Sequence, residues 1–333
     1  MNNDPFRSCP DCDDSLDRRR FLQSVGGVAA ACTAAPLLTR VGSAAPSPKS
    51  AAETAVKALY ESLSDKQALA VCLPFNHPLQ SRINANWHIS KARIGGDFLS
   101  NDQRDLVDQI LRGITSEDGY ERLQKQMTAD GGGVGRYSFA LFGEPGTGKF
   151  QFELTGRHLT LRADGDSVPG AAFGGPLVYG HGVGDPARNL FYYQTKQVNE
   201  VFKALDAKQT KHALVDTSPS EDEVALQGRG GKFPGIGVSE LSSDQKELVE
   251  GTLKTLLSPY RKEDVDEVMQ ILKAGGGMDS LHMSYYSDSD LKGDKVWDVW
   301  RVEGPSFVWH FRGDPHVHAY INIGLKDAQA KDS

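Results

Sequence analysis

Cysteine is scarce in this chain. There are four in 333 residues, and three of them, Cys9, Cys12 and Cys32, lie near the start. Only Cys72 lies further on, so a polypeptide without residues 1–44 has no intramolecular disulfide and must be held by core packing. Basic blocks are also missing. Lys and Arg number 37 against 44 Asp and Glu, a net charge of −7, and no basic amphipathic stripe offers nucleic acid a surface. The sequence therefore predicts no nucleic-acid partner. Long hydrophobic runs are absent too: the apolar stretch from Val25 to Leu38, rich in Ala and Gly, is too short and too weakly apolar for a stable membrane span. No GxSxG elbow, HExxH helix or paired-cysteine nucleophile occurs after residue 44.

What the first residues do contain is an export signature. Arg18-Arg19-Arg20-Phe21-Leu22-Gln23 reads as a twin-arginine leader, followed by the short apolar stretch and by small residues Gly42-Ser43-Ala44 at a cleavage site. Residues 1–44 are expected to be a signal peptide handled by the twin-arginine export machinery, which makes the protein periplasmic or extracellular. Cys9-Pro10-Asp11-Cys12 has the spacing of a zinc or redox pair, but it falls in the segment expected to be removed. The leader holds five Asp and five Arg, so its loss leaves the net charge unchanged. What remains, roughly 290 residues, is long enough to bury about three-quarters of its unfolded surface.

The strongest internal pattern is a repeat. Leu99-Ser100-Asn101-Asp102-Gln103 recurs as Leu241-Ser242-Ser243-Asp244-Gln245, each followed by a charged residue, an acidic residue and Leu-Val. Both are Ser-x-x-Gln capping boxes, and Ser64-Asp65-Lys66-Gln67 is a third. Each capped helix leads to a second, acidic-rich helix, about 117–127 and 262–273. Each of these ends at a glycine run, Gly131-Gly132-Gly133 or Gly275-Gly276-Gly277. Strands follow, at 137–142, 151–155 and 159–162 in the first copy and 282–286, 296–302 and 307–311 in the second. The expected fold is α+β: two duplicated helix–helix–antiparallel-sheet units with a pseudo-twofold relation. The expected organisation is a linker over 45–62, then one α+β domain over 63–326 and a tail over 327–333. Within the domain, repeat A spans about 99–166, a loop and a helix (about 187–205) fill 167–237, and repeat B spans about 241–323.

Gly143-Glu144-Pro145-Gly146-Thr147-Gly148-Lys149 imitates a phosphate-binding loop. Phe150 stands where magnesium would need Ser or Thr, and the following residues alternate as a strand rather than opening a helix, so a hairpin turn is expected. His316-Val317-His318 is the better lead. On a strand, positions i and i+2 share a face, a geometry suited to holding a transition metal with a third ligand from elsewhere. His158 is the candidate third ligand: alternation from 158 to 162 sends Leu159 and Leu161 to the core and puts His158, Thr160 and Arg162 on the other face. That polar stripe is either a wet outer face or the lining of a pocket. His181, between Gly180 and Gly182, and His88, beside Trp87, are further nitrogen donors.

Gly156-Arg157-His158-Leu159, Arg301-Val302-Glu303-Gly304-Pro305 and His316-Val317-His318 together resemble the domain-of-unknown-function 3500 family. Its members carry a Gly-His-His-Leu-like motif, an Arg-x-x-Gly-Pro motif and a C-terminal His-x-His. The resemblance runs from about Leu63 to Ile323. Two positions depart from it: Arg157 stands where many members have a second His, and His310 roughly where many have Glu. The resemblance implies a grouping by fold and little chemistry.

Two function classes follow. The first is an extracytoplasmic metal-dependent enzyme, a hydrolase or oxidoreductase, with zinc, copper or iron on His158, His316 and His318. Their nitrogens would converge within roughly 4 Å. Arg162, Arg301 or His181 would then face the substrate. The second is a non-catalytic extracytoplasmic protein that binds a small molecule or metal through the same residues. Metal content separates the two.

Overall fold

In a computed structural model the described residues are 45–289, 294 and 296–326, all within one compact unit. The twin-arginine leader and the tail over 327–333 lie outside them. Eight α-helices among the described residues flank a large mixed sheet. The first half contributes α1 (Ala51–Ser62), α2 (Asp65–Val71), β1 (Cys72–Leu73), α3 (Asn101–Ile114), α4 (Glu117–Gly131), β2 (Ser138–Gly143), β3 (Phe150–Gly156), β4 (Leu159–Ala163) and β5 (Leu177–His181). The second contributes α5 (Tyr192–Lys203), α6 (Ala207–Ala213), β6 (Leu214–Val215), β7 (Ile236–Gly237), α7 (Ser243–Leu257), α8 (Lys262–Gly275), β8 (His282–Tyr286), β9 (Val299–Gly304), β10 (Phe307–Arg312) and β11 (Val317–Ile323).

The sheet runs β1-β2-β3-β4-β5-β11-β10-β9-β8-β6, with β7 beside β8. The end strands β1 and β6 pair parallel with β2 and β8, and the other pairings are antiparallel. The halves join where β5 pairs with β11, Val317 opposite His181 and Ile321 opposite Leu177.

The capping boxes do more than start helices. Ser64, Ser100 and Ser242 each cap with a glutamine three residues on, and Asp206 with Gln209 adds a fourth box. The glutamine amides then link helices in pairs. Gln67 donates to Gln103 (2.9 Å) in the first half and Gln209 to Gln245 (3.0 Å) in the second. Gln103 reaches the Ser62 carbonyl and Gln245 the Ala204 carbonyl. The glycine runs close α4 and α8 as expected, Gly132 taking the left-handed conformation at φ 80°.

Three boundaries differ from the sequence reading. Residues 51–62, expected as linker, form α1, which buries Ala52, Val56 and Leu59. Its Glu53 is fully buried and bidentate to Arg261 (2.7 and 2.9 Å), so periodic apolar positions and one ion pair fix a segment that composition alone reads as a tether. The helix expected from 187 begins only at Tyr192, because Asn189 turns the chain first. Its amide donates to the His181 and Val183 carbonyls and its oxygen accepts from the Phe191 N–H. The strand expected from 296 starts at Val299. Glu144–Lys149 forms a hairpin turn between β2 and β3, as expected.

The sheet has an apolar and a polar face, and both are buried. Phe152, Leu154, Leu159, Leu161, Trp300 and Trp309 belong to the main core. The alternate residues Gln151, Glu153, Thr155, Thr160, Arg162, Arg301 and Glu303 are buried as well. Segments about 74–93 and 216–236 cross the polar face, and their backbone bonds to its side chains. Arg162 donates to the Gln80, Arg82 and Pro176 carbonyls and pairs with Glu153 (2.5 Å). Thr155 accepts from the Ile89 N–H, Arg301 donates to the Glu223 carbonyl, and Asn322 donates to the Val224 carbonyl. The stripe is therefore neither a wet outer face nor an open pocket lining.

Replacing Arg162 by Leu would strand the Glu153 carboxylate and three loop carbonyls together. The expected cost is about 3–5 kcal/mol of folding stability, read from the urea midpoint. A loss under about 1 kcal/mol, the scale of an exposed pair, would show that Arg162 does not fasten the covering segment.

Candidate metal centre

The i, i+2 spacing of His316 and His318 places both imidazoles on the same side at the start of β11. That end of β11 lies against the end of β5, where Gly180 and Gly182 leave room. A Cβ at Gly182 would stand 2.8 Å from Asp130 Oδ1 and 3.2 Å from His158 Cε1. The glycines flanking His181 thus allow two site side chains to approach the backbone closely.

His158 arrives by a different route from the expected one. It does not lie on the strand with Thr160 and Arg162, but in the turn between β3 and β4, at φ 57°. The turn lifts its ring beyond the edge of the polar face, 5.0 Å from the His316 ring and 4.9 Å from the His318 ring. The ligating nitrogens of the three lie within 4.8 Å of one another. A tetrahedral centre with bonds of about 2.0–2.1 Å needs them about 3.4 Å apart, so the set is somewhat looser than ligation and than the 4 Å expected.

Two carboxylates orient the trio. Asp130, at the end of α4, accepts from His158 Nδ1 (2.8 Å), from Gln126 (2.9 Å) and from the Gly182 N–H (2.9 Å). Burial pushes the Asp130 carboxyl up, but these three hydrogen bonds outweigh it and hold its pKa below the ordinary value. Glu221, in the segment covering the second half, accepts from His318 Nδ1 (2.9 Å) and pairs with Arg312 (3.3 Å). Burial raises its pKa as well, and His318 and Arg312 together bring it below normal. A carboxylate only accepts, so both imidazoles carry the proton on Nδ1 and turn a bare Nε2 inward. His316 Nε2 faces His318 Nε2 at 3.0 Å. Burial, reinforced by His318 and His158, pushes the His316 pKa down to about 4, so near neutral pH it offers the uncharged form that binds metals. His158 is buried, whereas His316 and His318 are partly exposed and give the centre a side toward solvent.

None of the other candidates belongs to the trio, although His181 lies next to it, opposite Val317 and within the electrostatic reach of Asp130 and His158. Arg162 serves the covering segment. Arg301 donates to His310 Nδ1 (3.3 Å) and to the Glu223 carbonyl on the polar face. His181 is buried, and its Nδ1 accepts from the Leu190 N–H (3.2 Å), which supports the loop. His310 is the buried acceptor for Arg301. Burial and that guanidinium push its pKa down to about 3. His88 is exposed beside Arg93, away from the trio. Sequence reasoning missed Asp130 and Glu221. They stand 28 and 97 residues from the histidines they orient, and no local spacing announces either.

Among curated proteins none matches this chain, and no solved structure matches it. The sequence does match the family described as protein of unknown function (DUF3500) over residues 45–322, a span containing Asp130, Glu221 and all three histidines, and the chain belongs to that family.

Proposed function

We propose that this protein is an exported metal-dependent enzyme whose ion is held by His158, His316 and His318 through Nε2. The observation that carries the reading is the pair of carboxylate–histidine contacts, Asp130–His158 and Glu221–His318. Metal-ligating imidazoles characteristically donate their other N–H to such groups, which fixes the tautomer and raises ligand basicity. Three neutral nitrogens suit zinc, copper or iron, and a three-histidine set leaves a position for water or substrate. In that position a bound ion supplies an activated water or polarises an oxygen. The chain's own residues orient the imidazoles, and Arg312 keeps Glu221 ionised beside His318.

The duplication reading belongs here too. It is supported by the sheet order, which runs outward from β5 and β11 through matching hairpins to a short parallel strand on each side. It is also supported by the two Gln–Gln helix links, each between residues 36 apart. The trio takes His158 from the first half and His316 and His318 from the second, near the β5–β11 junction. On this reading the two halves share a scaffold and have diverged in chemistry.

Expressed with its leader and purified without chelator, the protein should hold about one transition-metal ion per chain by elemental analysis. H158A, H316A and H318A should each lose it. D130N and E221Q should keep the fold and bind the ion about 10–100-fold more weakly. Wild-type protein that takes up no zinc, copper or iron sinks the metal reading and leaves a binding role for the same residues.

Export is supported by the Arg18-Arg19-Arg20-Phe21-Leu22 pattern and by a family match that opens at residue 45. Changing Arg18 and Arg19 to Lys should keep the protein in the cytoplasm, while the wild type appears outside with an N-terminus near Ala45. Intact residues 1–44 on exported protein, found by mass spectrometry, would refute the cleavage.

A further inference from the structure

Beside the histidine centre lies a separate cavity of about 430 Å³, lined by Asn86, His88, Arg93, Arg136, Tyr137 and Arg157. Three guanidinium groups meet there in a chain whose net charge is −7. Among the described residues none of the three arginines has a carboxylate partner. Arg93 donates only to the Ser90 carbonyl, and the bonds formed at Arg157 use its backbone oxygen, which accepts from Tyr137 and Gln126. The neighbouring carboxylate, Asp130, is already engaged by His158, Gln126 and Gly182. His88 lies in the same field, its pKa lowered first by burial and then by Arg93. The arrangement leaves three guanidinium groups without carboxylate partners around one half-open space, with donors on several sides.

The geometry also links this cavity to the centre. The position a Cβ would take at Gly182 is 2.8 Å from Asp130 Oδ1, 3.2 Å from His158 Cε1 and 3.6 Å from Arg157 Nη2, so the carboxylate that orients His158, the ring and the guanidinium flank one point. Arg157 and His158 are consecutive in the β3–β4 turn, whose backbone sends one side chain to the cavity and the other to the trio.

We infer that this cavity is the subsite for an oxyanion group, carboxylate or phosphate, of a small ligand whose other end reaches the histidine centre. Guanidinium groups match such oxyanions by forked, charge-assisted hydrogen bonds. Only the position of the ligand's far end rests on the metal reading; the anion site itself needs no metal.

The test uses the full mature chain freed of metal with chelator and dialysed, titrated with inorganic phosphate and, separately, with acetate. Binding is followed by calorimetry and by the His88 ring resonances. The wild type should bind at least one of the two anions, more weakly as salt rises, and shift His88. R136Q/R157Q should weaken that binding by at least about tenfold without a change in melting temperature, since both side chains are exposed. H316A should bind within about twofold of wild type, because it does not touch the cavity. Stronger binding of phosphate points to phosphate esters, and stronger binding of acetate to carboxylates. Equal affinity in wild type and R136Q/R157Q, no binding of either anion, or loss of binding in H316A alone would overturn the subsite. Because metal is absent throughout, failure of the metal reading leaves this outcome unchanged.

Discussion

Everything about this molecule follows from a sheet that is buried on both faces although one face is polar. Irregular segments laid across an apolar face would leave backbone N–H and C=O groups without partners, at a cost of several kcal/mol over a long loop. Here the sheet supplies the partners. Arg162, Thr155, Thr160, Arg301 and Asn322 act as fixed hydrogen-bonding posts, and the two covering segments adopt the path that those posts allow. Loops that would otherwise wander are held as firmly as the strands. That firmness is what lets Glu221, borne on a loop, take a defined place behind His318.

The centre is assembled from parts that share no local element. A helix end gives Asp130, a tight turn His158, a covering loop Glu221 and the start of a strand the remaining two histidines. Each part is fixed by the fold for reasons of its own, so Asp130 and Glu221 orient two of the imidazoles without any ligand. Preorganisation of this kind reduces the entropy lost on binding.

How much was legible in the sequence followed from how local each cause is. The pairing of His316 with His318 needs only the two-residue strand period, and the hairpin at 143–150 only turn chemistry, so both were readable. The role of the Ser-x-x-Gln motifs was half readable: the cap is local, whereas the amide bond from Gln67 to Gln103 depends on how helices pack. His158 was identified, but on the wrong element, because strand alternation continues on paper through a residue that the chain turns at positive φ. The polar stripe was undecidable between two alternatives because its true partners are backbone carbonyls far along the chain, and those carry no sequence signal. Asp130 and Glu221 were invisible for the same reason. The Ala-rich composition of residues 51–62 conceals a helix whose apolar side packs on α3 and whose Glu53 meets Arg261, 208 residues away.

The place of β11 has a consequence for how the protein is made. The last strand among the described residues, β11, sits at the middle of the sheet, between β5 and β10. A ribosome delivers residues in order, so the first half waits with β5 as a raw edge until residues 317–323 have emerged. Such long-range closure slows folding and exposes an unpaired strand to misassociation in the interval. It also means that two of the three imidazoles join His158 in the same event that seals the sheet. A nascent or truncated chain that ends short of His316 and β11 therefore lacks two of the three clustered histidines.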